Sequence, residues 1–434
     1  MSFVLLFSQE HLDFRIAEIG GICAALSLKF DVRQINTQKH IFVVKSAEDE
    51  IRKLLSRSVM LKSASLDLIQ ANSVEDLIQI MKENPEALLR FDREDESFSV
   101  KVRPIGRKKG LDSLSMAKLI SHHIPLKVAP VDLNNPKNAF LALEEYENEN
   151  SDTPKQVYFG PLIGHGQSQL KTKYNLRERC YIGNTTMDPE LSFIQANISG
   201  IRRGSLVLDP FVGTGGLLLP AAEFGACVVG GELNYQVARG LGKSSRHDVK
   251  YLTEKESIAA NFEHYKTRDR LLSVIIADAS QHSLWRERPI FDAIVSDPPY
   301  GVREKGRKVG KKGRKEHWIL PGSEHPDHLP EKMHYSIEDT FLDLCDLAAK
   351  VLTVGGRVSF WFPVILDIYS PACLPYHPAL SLVENCEQKL TKKTSRRLLT
   401  YVKQREPRMS EQTTAAQNIY ENGTFRDAVF KNNR

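Results

Sequence analysis

The chain has 434 residues, 41% of them hydrophobic, and a formal net charge of +5 with a pI near 8.7. That length exceeds one ordinary core and predicts two domains, while the mild basicity allows a nucleic-acid partner without requiring one. Six scattered cysteines without a CxxC pair (Cys23, Cys180, Cys227, Cys345, Cys373, Cys386) argue against a zinc site or a disulfide framework.

The opening "MSFVLLFSQEHLDF" has no basic n-region, and no later run is apolar enough for a bilayer, so a soluble cytoplasmic or nuclear protein without membrane contact is expected. In chain order, "FVLLFS" (3–8) predicts a strand, "FRIAEIGGICAALSLKF" (14–30) a helix despite its glycine pair, and "HIFVVKS" (40–46) a strand. Helical spacing returns at 73–84, strand patterns at 97–106 and 139–145, and a helix between them at 114–124, ended by His122 and His123. Such alternation predicts α/β layers. The acid-rich, Asn-rich "EEYENENSDTPK" (144–155) reads as the junction, giving an N-terminal region at 1–150, a linker at 151–185, a second domain at 186–405 and a polar, disordered tail at 406–434.

The second domain carries the sharper pattern. "SLVLD" (205–209), "CVVGGEL" (227–233), "SVIIAD" (273–278), "DAIVSD" (292–297) and "RVSFWFPV" (357–364) are apolar strand runs separated by helical stretches. They predict a doubly wound parallel sheet. "SLVENCEQ" (381–388) and "RLLTYVK" (397–403) suit a closing hairpin.

In such a sheet the ligand lies beyond the carboxyl ends of the strands, where four acids stand: Asp209, Glu232, Asp278 and Asp297. Gly213, Gly215 and Gly216 lie between the first two, and their missing side chains let a ligand approach the backbone. The spacing is GxGG, which disfavours a dinucleotide. Glu232 stands where an acid takes ribose hydroxyls, and Asp278 where one accepts from an exocyclic amine. Alone, each of these features is commonplace; a strand-end Asp is usually a cap. Their joint order carries the information.

The fourth strand breaks at "DPPYG" (297–301). Pro298 and Pro299 remove two backbone donors and stiffen the turn, so that the Asp297 carboxylate, the Pro298 carbonyl and the Tyr300 ring form a receptor for a planar amine. An aromatic amine is a poor nucleophile. Accepting its N–H bonds and stacking its ring aligns the lone pair with an electrophilic methyl, and Asp297 or water can take the proton released. A base entering this pocket must first leave its stack.

"VREKGRKVGKKGRKEHW" (302–318) follows at once, with Arg303, Lys305, Arg307, Lys308, Lys311, Lys312, Arg314 and Lys315 among Gly306, Gly310 and Gly313. A supple cationic loop beside the turn suits phosphate contacts, although a solvated basic loop has the same composition. Trp361 and Phe362 read as core or as a pocket wall.

Strand-end Asp209, the GTGG turn, Glu232, Asp278 with Ala279, and DPPYG together resemble the Rossmann-like S-adenosylmethionine-dependent methyltransferases that modify amino groups. That signature is shared by enzymes acting on adenine, guanine, cytosine and glutamine. Residues 157–199 and 231–250 are similar to the catalytic subunits of eukaryotic tRNA guanine-N2 methyltransferases acting at position ten, and the first third, with "VRPIG" and "VDLNNPKNAFLALEE", to their THUMP-type RNA-binding region. One departure is Pro189 in "TMDPELS", tolerable at the first turn of a helix. The resemblance implies a seven-stranded Rossmann-like methyltransferase domain preceded by an α/β THUMP-type domain, a tRNA substrate and S-adenosylmethionine as cofactor. It further implies that Asp297, Pro298 and Tyr300 hold the guanine amine, that Gly213, Gly215, Glu232 and Asp278 belong to the cofactor pocket, and that a small zinc-binding activator subunit is the partner. The alternatives are a DNA adenine or protein glutamine methyltransferase, and an inactive RNA-binding scaffold.

Overall fold

The computed structural model describes residues 1–106, 112–240, 256–285, 288–301, 304–310 and 330–420. The chain clusters into two units, Met1–Ile16 with Ser27–Ser168, and Ala17–Leu26 with the residues from Gln169 onward.

The first unit holds strands β1 (Ser2–Phe7), β2 (Ile41–Lys45), β3 (Leu61–Leu66), β4 (Ile69–Ala71), β5 (Phe98–Ile105), β6 (Asn138–Glu145) and β7 (Gln156–His165). They form one sheet in the order β2-β1-β3-β7-β6-β5, with β4 also paired to β7. The expected strands at 3–8, 40–46, 97–106 and 139–145 and the helices at 73–84 and 114–124 are present. Ser73 caps the first of these helices by accepting from Asp76 N, and Asp112 caps the second.

The segment expected as a linker is a correction. Gln156–His165 is β7, an inner strand antiparallel to both β3 and β6. Its alternate residues Val157 and Phe159 are fully buried, and Phe159 stacks on Phe140 at 5.5 Å. Polar residues at 144–155 mark only the turn into that strand.

The glycine pair in the first helix also has a structural account. In Arg15–Leu26, a Cβ on Gly21 would lie 2.2 Å from the Asn197 carbonyl oxygen, so the helix needs glycine at that approach. Nearby, Asn197 donates to Glu18 Oε1 at 2.9 Å in the buried interior.

The second unit contains β8 (Leu206–Asp209), β9 (Cys227–Glu232), β10 (Leu271–Ile276), β11 (Phe291–Ser296), β12 (Arg307–Val309), β13 (Lys332–His334), β14 (Leu352–Ile365), β15 (Leu380–Lys389) and β16 (Thr394–Lys403). Its main sheet has seven strands ordered β10-β9-β8-β11-β14-β16-β15. The first five are parallel, and the closing β15–β16 hairpin is antiparallel, as its sequence predicts. The reversal between β8 and β11 creates the switch point where a ligand crevice opens. Beneath, the helix Ile337–Val351 is capped by Ser336 and buries Phe341, Leu344 and Ala348 against Phe360, Phe362 and Leu399.

Part of the expected disordered tail is also ordered. Thr414 forms a bridge with Tyr376, Thr413 N donates to Asp346 Oδ1 at 2.6 Å, and Ile419 is buried in the main core. Apolar anchors spaced among polar residues hold this segment down; residues 421–434 lie outside the described residues.

Candidate active site

Beyond the carboxyl ends of β8, β9 and β11 lies a cavity of about 670 Å³. Asp209, Gly213, Gly216, Glu232, Ala279, Asp297 and Pro299 line it, so the glycine corner and the proline-stiffened turn share one cleft.

The glycine turn owes its shape to backbone conformations that side chains disfavour. Gly213 and Gly215 have φ of +50° and +85°, and nothing stands within 4 Å of a Cβ on Gly213. Glu232 fixes this turn, since its Oε2 accepts from Gly213 N at 3.1 Å and its Oε1 from Asn234 N at 2.7 Å. Burial raises the Glu232 carboxyl, partly offset by those two donors. Asp209 is buried completely enough that desolvation pushes it up to about 8, although Phe211 N and Ser296 Oγ donate to its Oδ1.

At the DPPY turn, Tyr300 donates its hydroxyl to Asp297 Oδ1 at 2.9 Å. Burial raises Asp297 to about 6, while the Arg396 charge and this hydrogen bond pull it down. Burial likewise raises the Tyr300 phenol, so it remains a donor. Asp297 and Pro299 face the cavity, whereas Pro298 is buried and neither it nor Tyr300 lines the space. The aromatic expected as an open stacking face is thus hydrogen-bonded to the acid beside it.

Asp278 departs from expectation in a similar way. It is buried, its Oδ1 accepts from Ser280 N and Oγ, and its Oδ2 accepts from Val309 N at 2.6 Å. Ala277 and Ala279 line the cleft in its stead. Gly215 also lies off the cavity, pressed by Ile258 at 3.0 Å from its would-be Cβ.

The basic segment is a hairpin where it is described. β12 pairs antiparallel with β13, and Gly306 permits an approach in which a Cβ would lie 2.5 Å from the Tyr335 carbonyl oxygen. Gly306 therefore serves close cross-strand contact rather than suppleness. Lys305 and Arg307 line the cleft. Lys308 instead sits 3.6 Å from Asp339 and 5.0 Å over the Tyr335 ring, a structural placement. Arg303, Lys311, Lys312, Arg314, Lys315 and Gly313 lie outside the described residues.

A family model described as the Tmrp11 THUMP N-terminal domain matches residues 1–168, and one described as an RMKL-like methyltransferase domain matches residues 177–312. The tRNA (guanine(10)-N(2))-methyltransferase TRMT11 of Rattus norvegicus is 38% identical over 416 residues, covering 93% of this chain and 88% of its own length. The chain belongs to the TRMT11 family. The Homo sapiens TRMT11 is 38% identical over 412 residues, covering 92% of this chain and 88% of its own. The crystal structure of TrmN from Thermus thermophilus covers 93% of this chain and 100% of its own, with 16% identity and a TM-score of 0.46.

For this TRMT11-family chain, three residues at the cleft escaped the sequence reading. Lys332, on β13, lines the cavity beside Lys305 and Arg307. Arg396, on β16, places its Nη2 3.2 Å from the sulfur of Met187, itself a lining residue. Glu304 accepts from Thr185 Oγ1 at 3.0 Å, joining the turn to the loop before the helix Pro189–Ile198. No local motif marks them. Pro189, the departure noted in the sequence, opens that helix behind Asp188, whose side chain accepts from Glu190 N and Leu191 N.

Proposed function

We propose that this chain transfers a methyl group from S-adenosylmethionine to the exocyclic N2 amine of guanine 10 in tRNA, forming N2-methylguanosine. The observation that carries the reading is the single cleft shared by Asp297 and the Gly213–Glu232 corner, in a chain of the TRMT11 family.

The cofactor fits the residues present. Gly213 leaves open space at a positive-φ corner, and Glu232 presents a partly exposed carboxylate beside it with capacity for hydroxyl donors. Gly213, Glu232, Asp209 and Ala279 would hold it, with Gly215 shaping the turn and Asp278, whose oxygens already accept from Ser280 and Val309, buried off the cavity. When bound, the cofactor supplies an electrophilic methyl on a sulfonium.

The protein's own part is alignment and proton management. Asp297, near 6, is ionised at neutral pH and accepts an amine N–H, drawing the nitrogen lone pair out of conjugation. As the N–C bond forms, the amine becomes acidic, and Asp297 or water takes its proton. Pro298 and Pro299 keep the carboxylate aimed. For Tyr300 to stack on the base, its hydroxyl must leave Asp297 or move with it.

Recognition is divided between the units. The THUMP-matching unit binds tRNA, while Lys305, Arg307 and Lys332 meet phosphates around the extruded nucleotide. A small zinc-binding activator as partner is supported by the family resemblance. Cytoplasmic residence fits a tRNA substrate; among the described residues, no helix is long and apolar enough to cross a membrane.

The test is Asp297→Ala. Methyl transfer to tRNA should fall by more than about 100-fold, with S-adenosylmethionine affinity by calorimetry unchanged. Nucleoside mass spectrometry would locate the methyl. Normal turnover by the variant, or transfer by the wild type to DNA or protein but not tRNA, would refute the reading.

A further inference from the structure

Asn261 has no exposed surface, yet its side-chain amide is committed to the backbone of two segments that line the cleft. It stands on the helix Ile258–His264, which Ser257 caps by accepting from Ala260 N. Its Oδ1 accepts from Tyr181 N at 2.8 Å, and its Nδ2 donates to the Tyr181 carbonyl at 2.7 Å and to the Thr214 carbonyl at 3.3 Å. One amide thus pairs with Tyr181 as a peptide unit pairs across a sheet, and gives its second hydrogen to the glycine turn.

Tyr181 opens the loop 181–187, and every residue of that loop lines the cavity, as do Gly213, Thr214 and Gly216 of the turn. Loop and turn interlock at close range. A Cβ on Gly183 would lie 3.3 Å from Thr214 Cγ2, one on Gly216 would lie 3.3 Å from Thr186 Cγ2, and the two threonine hydroxyls are 3.1 Å apart. From the helix side, Ile258 Cγ2 and Phe262 Cε2 stand 3.0 and 3.6 Å from the position of a Cβ on Gly215. Residues 258, 261 and 262 share one helix face, so the helix seats the turn by packing while Asn261 adds a polar link from the turn to the loop.

We propose that Asn261 is a positioning residue for the cofactor, one that sets the width of the cleft by fixing the loop 181–187 against the glycine turn. The proposal rests on the reading of the Gly213–Glu232 corner as the cofactor pocket. A ligand that meets two walls binds more tightly when their separation is set before it arrives, because ordering them on binding reduces affinity. Buried amide-to-carbonyl bonds suit that task, since breaking them incurs the desolvation cost of any group left unpaired.

The experiment measures S-adenosylmethionine affinity by calorimetry and the steady-state constants of tRNA methylation. It uses the full chain, with its activator where needed, well below the melting temperature of each variant. Asn261→Leu keeps a similar volume and removes the three bonds. Its Kd and KM for S-adenosylmethionine should rise by about tenfold or more, while kcat at saturating cofactor stays within about threefold and tRNA affinity is unchanged. Asn261→Asp keeps the acceptor for Tyr181 N but sets a carboxylate against two carbonyls until it takes a proton, which restores one donor. The ratio of its cofactor Kd to that of the wild type should therefore fall as pH is lowered from about 9 to about 6. That variant decides the matter if Asn261→Leu fails to fold. A folded Asn261→Leu with the wild-type cofactor Kd, or an Asn261→Asp whose Kd ratio stays near one at every pH, would reduce Asn261 to a packing role and overturn the proposal. A wild type that binds no S-adenosylmethionine would instead refute the underlying reading of the pocket.

Discussion

The indole of Trp361 donates through Nε1 to Gln195 Oε1 at 2.8 Å, and both side chains are completely buried. Gln195 Nε2 donates in turn to the Ser359 carbonyl at 2.9 Å and lies 3.4 Å from that of Ser296. One glutamine on the helix Pro189–Ile198 thus links β14 to the end of β11, the strand that delivers Asp297. Gln195→Leu should keep the volume but strand the indole N–H, costing about 1–3 kcal/mol in urea unfolding. A loss below about 0.5 kcal/mol would mean that the indole finds another acceptor.

Asp209 gives a pH dependence of opposite sign to that of a salt-bridged acid. Its folded titration near 8 stands above an unfolded value of about 4. The folded state therefore holds a proton that the unfolded state has lost; this contribution is fully present below about pH 4 and disappears as pH rises through 8. Asp209→Asn keeps an oxygen for Phe211 N and Ser296 Oγ while removing the titration. The variant should melt above the wild type at pH 8, and the advantage should vanish near pH 4. Equal melting curves across that range would show that the carboxylate is better solvated than its burial indicates.

Gly230, inside β9, supports the cofactor turn from behind. A Cβ there would lie 2.7 Å from Val212 Cγ2 and 2.9 Å from its Cβ. Val212 is itself buried and docked on β9 through its N–H to the Gly231 carbonyl at 2.9 Å. Gly230→Ala should push the glycine corner outward, destabilising the fold by about 1–3 kcal/mol. S-adenosylmethionine affinity by calorimetry should fall by about tenfold or more, with tRNA affinity unaffected. Unchanged cofactor affinity would separate this corner from the binding site.

Lys305, Arg307 and Lys332 converge on the cleft from the two arms of one hairpin. Their joint replacement by Gln should weaken tRNA binding and lower the slope of log affinity against log salt by about 2 to 3, near one per lost phosphate contact. Melting temperature should hold, because these side chains reach toward solvent or the cleft. Lys308→Gln is the contrast: its ion pair with Asp339 and its place over Tyr335 predict a small stability loss and an unchanged salt slope.

Much of the cleft was legible because its signals are local. A strand-end acid, a glycine turn and a doubled proline each act through the backbone of their own few residues, so Asp209, Gly213, Glu232 and Asp297 could be placed from order alone. The same locality explains the misplacements. Nothing in "SVIIAD" shows that Asp278 turns away from the cavity to accept from Val309 N, 31 residues further on. Polar composition at 144–155 marked a turn but hid β7, whose place in the sheet is set by partners as distant as Ser63 and Phe140.

By itself, then, the sequence determined the parallel α/β order and the kinds of group at each strand end, because periodicity and backbone restriction need no distant contact. Only tertiary structure decided which of those groups share one space, and it added Lys332 from β13. Its place depends on strand pairing that returns a charge to the cleft, and a Coulomb interaction depends on distance in space, to which distance along the chain is no guide.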